Sequence, residues 1–573
     1  MWCKNCHTEV YGDVCVFCGG QVEQEVPTEI FWCDRCKVPI VYRANDVKKN
    51  YCSLCSAPVR YLAADIRPVF PEERLWLEIL LEKPFAYIEN SVWCSENRYY
   101  IDGKPKIVRR NMFKKFPYEY IAEQLELNQG QNTYYYFELF KERWTEANRE
   151  HLNSLKEEAV YFINSAAAAY PPTNIVVSFS GGKDSTVVSD LVVKALTNPF
   201  LVHIFCDTTL ELPQTLEYVQ RFKKDNPQVI FKTAKNKEQN FYEVCREIGP
   251  PARMLRWCCS MFKTGPINRI FNNLYRDEKV LTFYGIRRSE SASRSKYNRI
   301  EGDSEYLKIR KQTVASPIFF WKDIDVWLYI LAEGLDFNDA YRLGYERVGC
   351  WCCPNNNERA QFLSNIYMPE KAKEWRDFLI NFAREIGKTD AEEYVDSGNW
   401  KARQGGRGLK AARDVKIKFS SCTNEENARI YQLNKPITEN FITLFYPFGK
   451  VAEELGRRLI NEIIILDINS KVPIISIQPL EQNGQRNAVK IKTMNVKDHE
   501  DLQRMISYQI RKYNACRECL KCEALCQFGA ISVTKNQGYF INEEKCRRCR
   551  MCVTAKYLDG GCLMSKYLYL RQE

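Results

Sequence analysis

Histidine is the scarcest of the chemically versatile residues, with 4 in a chain of 573. A centre built on several imidazoles, such as a three-histidine zinc site, is therefore nearly excluded. The chain also lacks any run of about 18 uninterrupted apolar residues, so no membrane span is expected. The opening Met1-Trp2-Cys3-Lys4-Asn5-Cys6 shows no basic stretch followed by an apolar core. No secretory leader is expected from it, and the expected setting is a reducing cytoplasm. Neither apolar nor charged residues are in short supply, at 45% and 27%, so global disorder is excluded. The length predicts about three to five domains.

Cysteine is plentiful, with 25 residues. In a reducing compartment paired cysteines mark metal sites rather than disulfides, and with so little histidine those sites must be thiolate sites. Eight cysteines fall within residues 3–55 and eight within 516–562. Cys258 and Cys259 are adjacent, Cys350, Cys352 and Cys353 form a third group, and Cys94, Cys206, Cys245 and Cys422 stand alone. The terminal groups predict small metal modules attached to a larger body.

Residues 1–60 carry two consecutive sets of paired cysteines, Cys3, Cys6, Cys15, Cys18 and then Cys33, Cys36, Cys52, Cys55. Each set offers four thiolates on two turns, the donor set of a tetrahedral zinc ribbon, so up to two Zn²⁺ are expected. Gly19-Gly20 suits a knuckle turn with positive φ. Cys3 to His7 also spells the haem-attachment string CxxCH, but a second CxxC follows at once and no export signal precedes it.

Residues 61–145 predict an α+β domain. A helix starts at Pro71 and runs to Leu81, and a strand at 97–101 enters a turn at Asp102-Gly103. One long charged helix is expected over 137–168. Residues 146–413 form the central domain. Within it, strands at 174–178, 200–205 and 229–231 alternate with helices such as 213–224. That alternation predicts a parallel sheet with crossover helices, an α/β fold. Residues 414–510 predict a further α+β domain of no recognised type, and 511–573 the terminal cysteine module.

The most informative string is Ser178-Phe179-Ser180-Gly181-Gly182-Lys183-Asp184-Ser185-Thr186, between a strand and a helix. Gly181 and Gly182 admit phosphates close to the backbone, and the helix N-terminus turns its amides toward the anion. Lys183 neutralises phosphate charge, Ser180 and Ser185 donate hydroxyls, and Asp184 is placed to help hold Mg²⁺. The glycine spacing differs from the GxxxxGK[ST] phosphate loop. The string resembles the PP-loop of ATP pyrophosphatases, which implies ATP as the nucleotide and cleavage between its α and β phosphates.

Further strings resemble the phosphoadenosine phosphosulfate (PAPS) reductase family. Asp207-Thr208-Thr209-Leu210-Glu211-Leu212-Pro213 is similar to a DTGxExP string with Thr209 in place of glycine. Arg256-Trp257-Cys258-Cys259-Ser260, the run Gly285 to Arg294, and Pro317-Ile318 with Trp321, Asp325 and Trp327 are also similar. The resemblance spans residues 170–355 and implies an adenine-nucleotide α-hydrolase-like, Rossmann-like core. It implies catalytic work for Lys183, Asp184, Asp207, Arg287 and Arg294. Two departures stand out. The loop from Ser180 to Ser185 is intact, which favours ATP over a finished sulfonucleotide. The family's nucleophilic cysteine string is missing, since Glu518-Cys519 is followed by Leu520-Lys521.

Cys258, Cys259, Cys350 and Cys353 resemble the [4Fe-4S] site of assimilatory adenylyl-sulfate reductases; zinc is the alternative. Cys352 is a spare thiol, an alternative ligand, a sulfur carrier or a simple buried cysteine. In the tail, Cys516, Cys519, Cys522 and Cys526 match the bacterial ferredoxin run, and Cys546, Cys549, Cys552 and Cys562 follow. The resemblance implies one cluster on Cys516, Cys519, Cys522 and Cys562 and another on Cys546, Cys549, Cys552 and Cys526, making up to three [4Fe-4S] clusters in the chain.

Together these features predict an ATP-dependent sulfurtransferase. A nucleic acid (tRNA or DNA) would be its substrate, with a sulfur donor such as a cysteine desulfurase and an electron donor as partners. A sulfonucleotide reductase making sulfite is the second expectation, and a redox-sensing nucleic-acid-binding or defence-complex subunit the third. The 61–145 segment with the ribbons is similar to RNA-binding PUA-like arrangements. The basic, glycine-rich run Trp400 to Gly408 is a candidate nucleic-acid clamp or a solvated loop. The formal charge of +11 is weaker evidence for nucleic acid. Five four-thiolate sites at about −2 each would bring the loaded protein close to neutral.

Overall fold

Ile175-Val176-Val177 is β-branched throughout, and it forms the central strand of the main sheet, where both faces are covered. The computed structural model describes residues 2–3, 8–9, 18–19, 22–23, 27–43, 46, 50–275, 278–292, 294–302, 309, 311–482, 484–535, 537–554 and 560–569. Strands β1 (Ile175–Ser178), β2 (Val202–Asp207), β3 (Ile230–Lys235), β4 (Val280–Phe283), β5 (Ile300–Glu301) and β6 (Gln312–Ala315) form one sheet in the order β3-β2-β1-β4-β6-β5. Every neighbouring pair is parallel except β5 with β6. The strand order reverses between β1 and β4, which opens a crevice beyond their carboxyl ends. This is the expected α/β, adenine-nucleotide α-hydrolase-like core.

Helix α1 (Lys183–Leu196) leaves β1 and turns Val187, Val188, Leu191 and Val192 onto the sheet, all at 2% exposure or less. Helix α2 (Pro213–Asp225) starts with proline at its first position, where the missing N–H costs nothing. Trimming Leu191 to alanine would cost about 2–5 kcal/mol by the usual core scale.

The described N-terminal residues include a three-stranded antiparallel sheet, Thr28–Cys33, Val38–Arg43 and Arg60–Ala63. Residues 67–107 supply a four-stranded sheet, and Pro71–Leu80 is helical. Residues 419–493 form a six-stranded antiparallel sheet, against which helix His499–Ala515 packs. The tail adds the hairpin Ile531–Thr534 and Gly538–Ile541. Among the described residues no helix is long and apolar enough to cross a membrane.

The helix expected over 137–168 is two helices, Tyr135–Ala147 and Arg149–Ala167. The break is at buried Asn148. Its side chain accepts from the Val41 N–H at 2.8 Å and donates to Pro39 O at 3.0 Å, so strand Val38–Arg43 holds the joint. The run Trp400 to Gly408 is partly buried, with Ala402, Gln404, Arg407 and Gly408 exposed. Trp400 and Lys401 are buried, Arg403 donates to Ile248 O and Pro250 O, and Gly406 N–H donates to Tyr569 O. Lys401 and Arg403 are spent on backbone carbonyls.

Candidate functional site

Gly181 takes φ +72°, the left-handed region where glycine is at ease, and turns the chain from β1 into α1. A Cβ there would lie 3.0 Å from Thr215 Cγ2. Asn338 fixes the turn from behind, donating to Gly181 O at 3.0 Å and Thr215 Oγ1 at 2.8 Å. Ser180 N–H donates to Ser185 Oγ at 3.1 Å, and that hydroxyl donates to Gly182 O at 2.8 Å. Lys183 N–H donates to Tyr341 Oη at 3.0 Å. On the facing strand exit, a Cβ on Gly285 would come within 2.7 Å of the Asp184 backbone, so only glycine fits where β4 passes the start of α1.

The charged side chains form one cluster. Lys183 is 3% exposed, and its ammonium lies 3.2 Å from Asp184 Oδ2 and 3.1 Å from Asp323 Oδ1. Arg287 donates through Nε to Asp184 Oδ1 at 2.5 Å and through Nη2 to Asp323 Oδ1 at 2.8 Å. Burial alone would raise the Asp184 carboxyl, but Arg287 and then Lys183 outweigh it and hold it at about 2. For Lys183 burial is again opposed, and Asp184 and Asp323 keep the ammonium above its ordinary range. Two fixed cations and two carboxylates in a half-closed crevice can exchange partners with a magnesium–phosphate group at little cost in net charge.

Of the other expected residues, Asp207 sits at the end of β2. There it pairs with Lys235 at 2.7 Å and accepts the Thr209 N–H at 2.8 Å. Thr209, standing where the family string has glycine, takes φ +65°. Arg294 bonds Glu290, and burial and then Arg347 lower its guanidinium. Sequence reasoning missed Asp323, Tyr341, Asn338 and Arg347. Asp323 lies within the similar stretch that ends at Trp327, and its acidity two residues before Asp325 was the available signal.

Tyr341 and Val348 border the loop, and Cys350 follows Val348 directly after Gly349, so the nucleotide crevice and the cysteine site share one wall. Trp351 N–H donates to Leu210 O at 2.9 Å, and Thr208 Oγ1 lies 3.5 Å from Cys350 Sγ. The Cys258 thiol is pushed well up by Cys259, by burial, and by Cys350 and Cys353, so these four thiols share one place. Arg256 Nη2 lies 3.4 Å from Cys259 Sγ. Cys352 is buried among apolar side chains and burial pushes its thiol well up, which fits an inert core cysteine better than a sulfur carrier.

The second N-terminal set has zinc spacing. Cys33 and Cys55 Sγ are 3.6 Å apart and Cys36 and Cys52 Sγ 3.8 Å. A tetrahedral zinc with Zn–S of about 2.3 Å requires nearly that separation. Among the described residues this is the one set of three or more such ligands lying within 4.8 Å of one another. Of the first set, Cys6, Cys15 and the Cys3 side chain lie outside the described residues, and Cys18 is exposed.

In the tail, burial pushes up the Cys516, Cys519 and Cys522 thiols, and Cys562 adds to each shift. Cys526, Cys546, Cys549 and Cys552 line a single cavity with apolar walls from Pro447, Phe528 and Ile531. Helix Leu563–Tyr567 packs on the Trp257–Cys259 turn, and helix Lys521–Leu525 on Ser260–Thr264, so the tail abuts the central thiols.

Residues 174–356 match the phosphoadenosine phosphosulfate reductase domain. An uncharacterized protein of Methanocaldococcus jannaschii is 32% identical over 255 residues, which are 44% of this chain and 51% of the relative, so the chain spans about half of that relative's length. The adenosine 5'-phosphosulfate reductase of Neisseria meningitidis serogroup B is 31% identical over 176 residues, 30% of this chain and 67% of that protein. Among solved structures, the phosphoadenylyl-sulfate reductase of Candida auris aligns with a TM-score of 0.28 and 21% identity over 36% of this chain and 96% of that one. Through this central domain the chain belongs to the phosphoadenosine phosphosulfate reductase family.

Proposed function

We propose that the protein is an ATP pyrophosphatase that adenylates a nucleic acid, tRNA or DNA, and replaces the activated oxygen with sulfur. The observation that carries this reading is the intact loop. Lys183 stands buried between Asp184 and Asp323, and Cys350 lies two residues beyond Val348, which borders the loop. A substrate oxygen attacks the α-phosphorus, the bond to the β-phosphate breaks, and pyrophosphate leaves toward Lys183 and Arg287. A sulfur nucleophile then forms its bond to the activated centre and AMP departs with the oxygen. Sulfide needs no further electrons, whereas a persulfide donor needs two, which the C-terminal module would relay from an external one-electron donor. A cluster on Cys258, Cys259, Cys350 and Cys353 would be held by four thiolates, one to each iron, and would supply electron-transfer chemistry beside the nucleotide crevice. The exposed Arg253, Met254, Arg256, Tyr297 and Arg347 give the rim the cationic and apolar character that a single-stranded polyanion fits.

The adenosine 5'-phosphosulfate reductase relative favours a second reading, reduction of a sulfonucleotide to sulfite. Against it, Cys519, in the nearest echo of the nucleophile string, is buried beside Cys516 and Cys562. Anaerobically purified protein is expected to release pyrophosphate from ATP with nucleic acid and a sulfur donor present, and to leave a sulfur-for-oxygen mass change in that nucleic acid. Sulfite formed from PAPS or adenosine 5'-phosphosulfate without ATP would replace this reading with the second.

A further inference from the structure

Asp65 follows the strand Arg60–Ala63 of the cysteine-bearing sheet, well before the domain that carries the nucleotide loop. Its carboxylate nevertheless caps helix Asp323–Ala332. Oδ2 accepts from the Asp323 N–H at 2.9 Å and Oδ1 from the Ile324 N–H at 3.2 Å. The residue ahead of the helix is held from the same side, because Lys322 Nζ donates to Thr28 O at 2.6 Å and Ala64 O at 2.8 Å. Asp325 Oδ2 accepts the Lys322 N–H at 2.8 Å, so the first free amides of this helix are shared between its own aspartate and Asp65. Lys322 is a poor capping residue and aspartate a good one, which makes the distant carboxylate the stronger determinant of where the helix begins. The residue it fixes there is Asp323, whose Oδ1 receives Lys183 at 3.1 Å and Arg287 at 2.8 Å.

We propose that Asp65 is a positioning residue of the nucleotide site: by capping the helix from the cysteine-bearing sheet it sets Asp323, and through Asp323 the aim of Lys183 and Arg287 at a bound triphosphate. The inference rests on the reading of the Ser180–Ser185 loop as an ATP phosphate site. It also gives the second set of paired cysteines a role beyond its own fold, since Thr28, Ala64 and Asp65 reach the helix together from one sheet.

The test compares full-length wild type, Asp65→Ala, Asp65→Asn and Lys322→Met by titration calorimetry with MgATP and, separately, with adenosine. Zinc content and circular dichroism report folding. Loss of a capping aspartate corresponds to roughly 2- to 30-fold in an equilibrium. Asp65→Ala is expected to weaken MgATP by an amount in that range and to leave adenosine within about twofold, because adenosine has no phosphates for Lys183 and Arg287 to meet. Asp65→Asn, whose amide oxygen still accepts one N–H, should fall between wild type and alanine. If Asp65→Ala does not fold, the asparagine variant and Lys322→Met decide by the same comparison. Unchanged MgATP affinity in folded variants, or equal losses for MgATP and adenosine, would overturn the proposal while the ATP reading stands. A wild type that binds no MgATP would overturn both.

Discussion

The Lys183 ammonium and Asp323 Oδ1 lie 3.1 Å apart across the crevice, joining the first turn of α1 to the helix that follows β6. Arg287 reaches the same oxygen at 2.8 Å, so two cations share one carboxylate until a phosphate competes for them. Removing the ammonium leaves Arg287 to meet the leaving pyrophosphate alone. Lys183→Met is expected to lower pyrophosphate release by about 100- to 1,000-fold, the scale seen when one preorganised charge-stabilising donor is lost. A coupled pyrophosphate assay checks this. Release within tenfold of wild type would remove Lys183 from the chemistry.

Thr209 is exposed and holds φ +65°, a region that costs a β-branched residue about 1–3 kcal/mol. Glycine adopts it freely but loses more chain entropy on folding, at about 0.5–1 kcal/mol. Thr209→Gly is therefore expected to stabilise the central domain by about 1 kcal/mol, read as a higher thermal midpoint. A lower midpoint would show that the threonine side chain contributes more than its backbone costs.

Much of this was legible in the sequence where the cause was local. The strands of the main sheet follow from β-branched runs such as Ile175-Val176-Val177, and the nucleotide turn from the adjacent Gly181 and Gly182. What was not legible had its cause far along the chain. The break at Asn148 depends on Pro39 and Val41, and the seating of Gly405 and Gly406 depends on the backbone of Leu568 and Tyr569. Asn338 and Tyr341 reach the loop only because the crossover after β6 brings them there. No spacing rule marks such residues in advance.

His203 on β2 is fully buried, bonded to Ser189 Oγ at 2.8 Å and Leu201 O at 3.0 Å. Burial lowers its imidazole from 6.5 to about 4. The folded protein thus keeps it neutral where the unfolded chain takes up a proton. Its contribution is fully present above pH 6.5 and is lost as pH falls from there to about 4. By linkage the loss reaches about 3 kcal/mol. Comparing thermal midpoints of wild type and His203→Gln over that window should show the variant's acid slope shallower by up to one proton. Parallel slopes would mean that His203 is already charged in the fold.

Cys562 separates two ways of sharing the tail cysteines. Cys562 lies close enough to Cys516, Cys519 and Cys522 to add to the upward push that burial gives their thiols, while Cys526 lines the other cavity with Cys546, Cys549 and Cys552. If ligands were taken in simple sequence order, Cys526 would complete the first group and Cys562 the second. The position of Cys562 supports exchanging them, because helix Leu563–Tyr567 returns to the Trp257–Cys259 turn and Cys522 Sγ lies 3.4 Å from Gly561 O, next to the buried Cys562. Cys562→Ser should therefore remove about four irons per chain, the content of one cubane, or leave a three-iron centre at the inner site. Anaerobic iron and sulfide counts measure the loss, and electron paramagnetic resonance of the reduced protein should lose the signal of the cluster nearest Cys258 and Cys259. The matching Cys526→Ser should spare that inner cluster and remove the outer one. If instead Cys562→Ser spares the inner cluster and Cys526→Ser abolishes it, the sequence-order grouping is correct and the exchange read from the thiol positions is wrong.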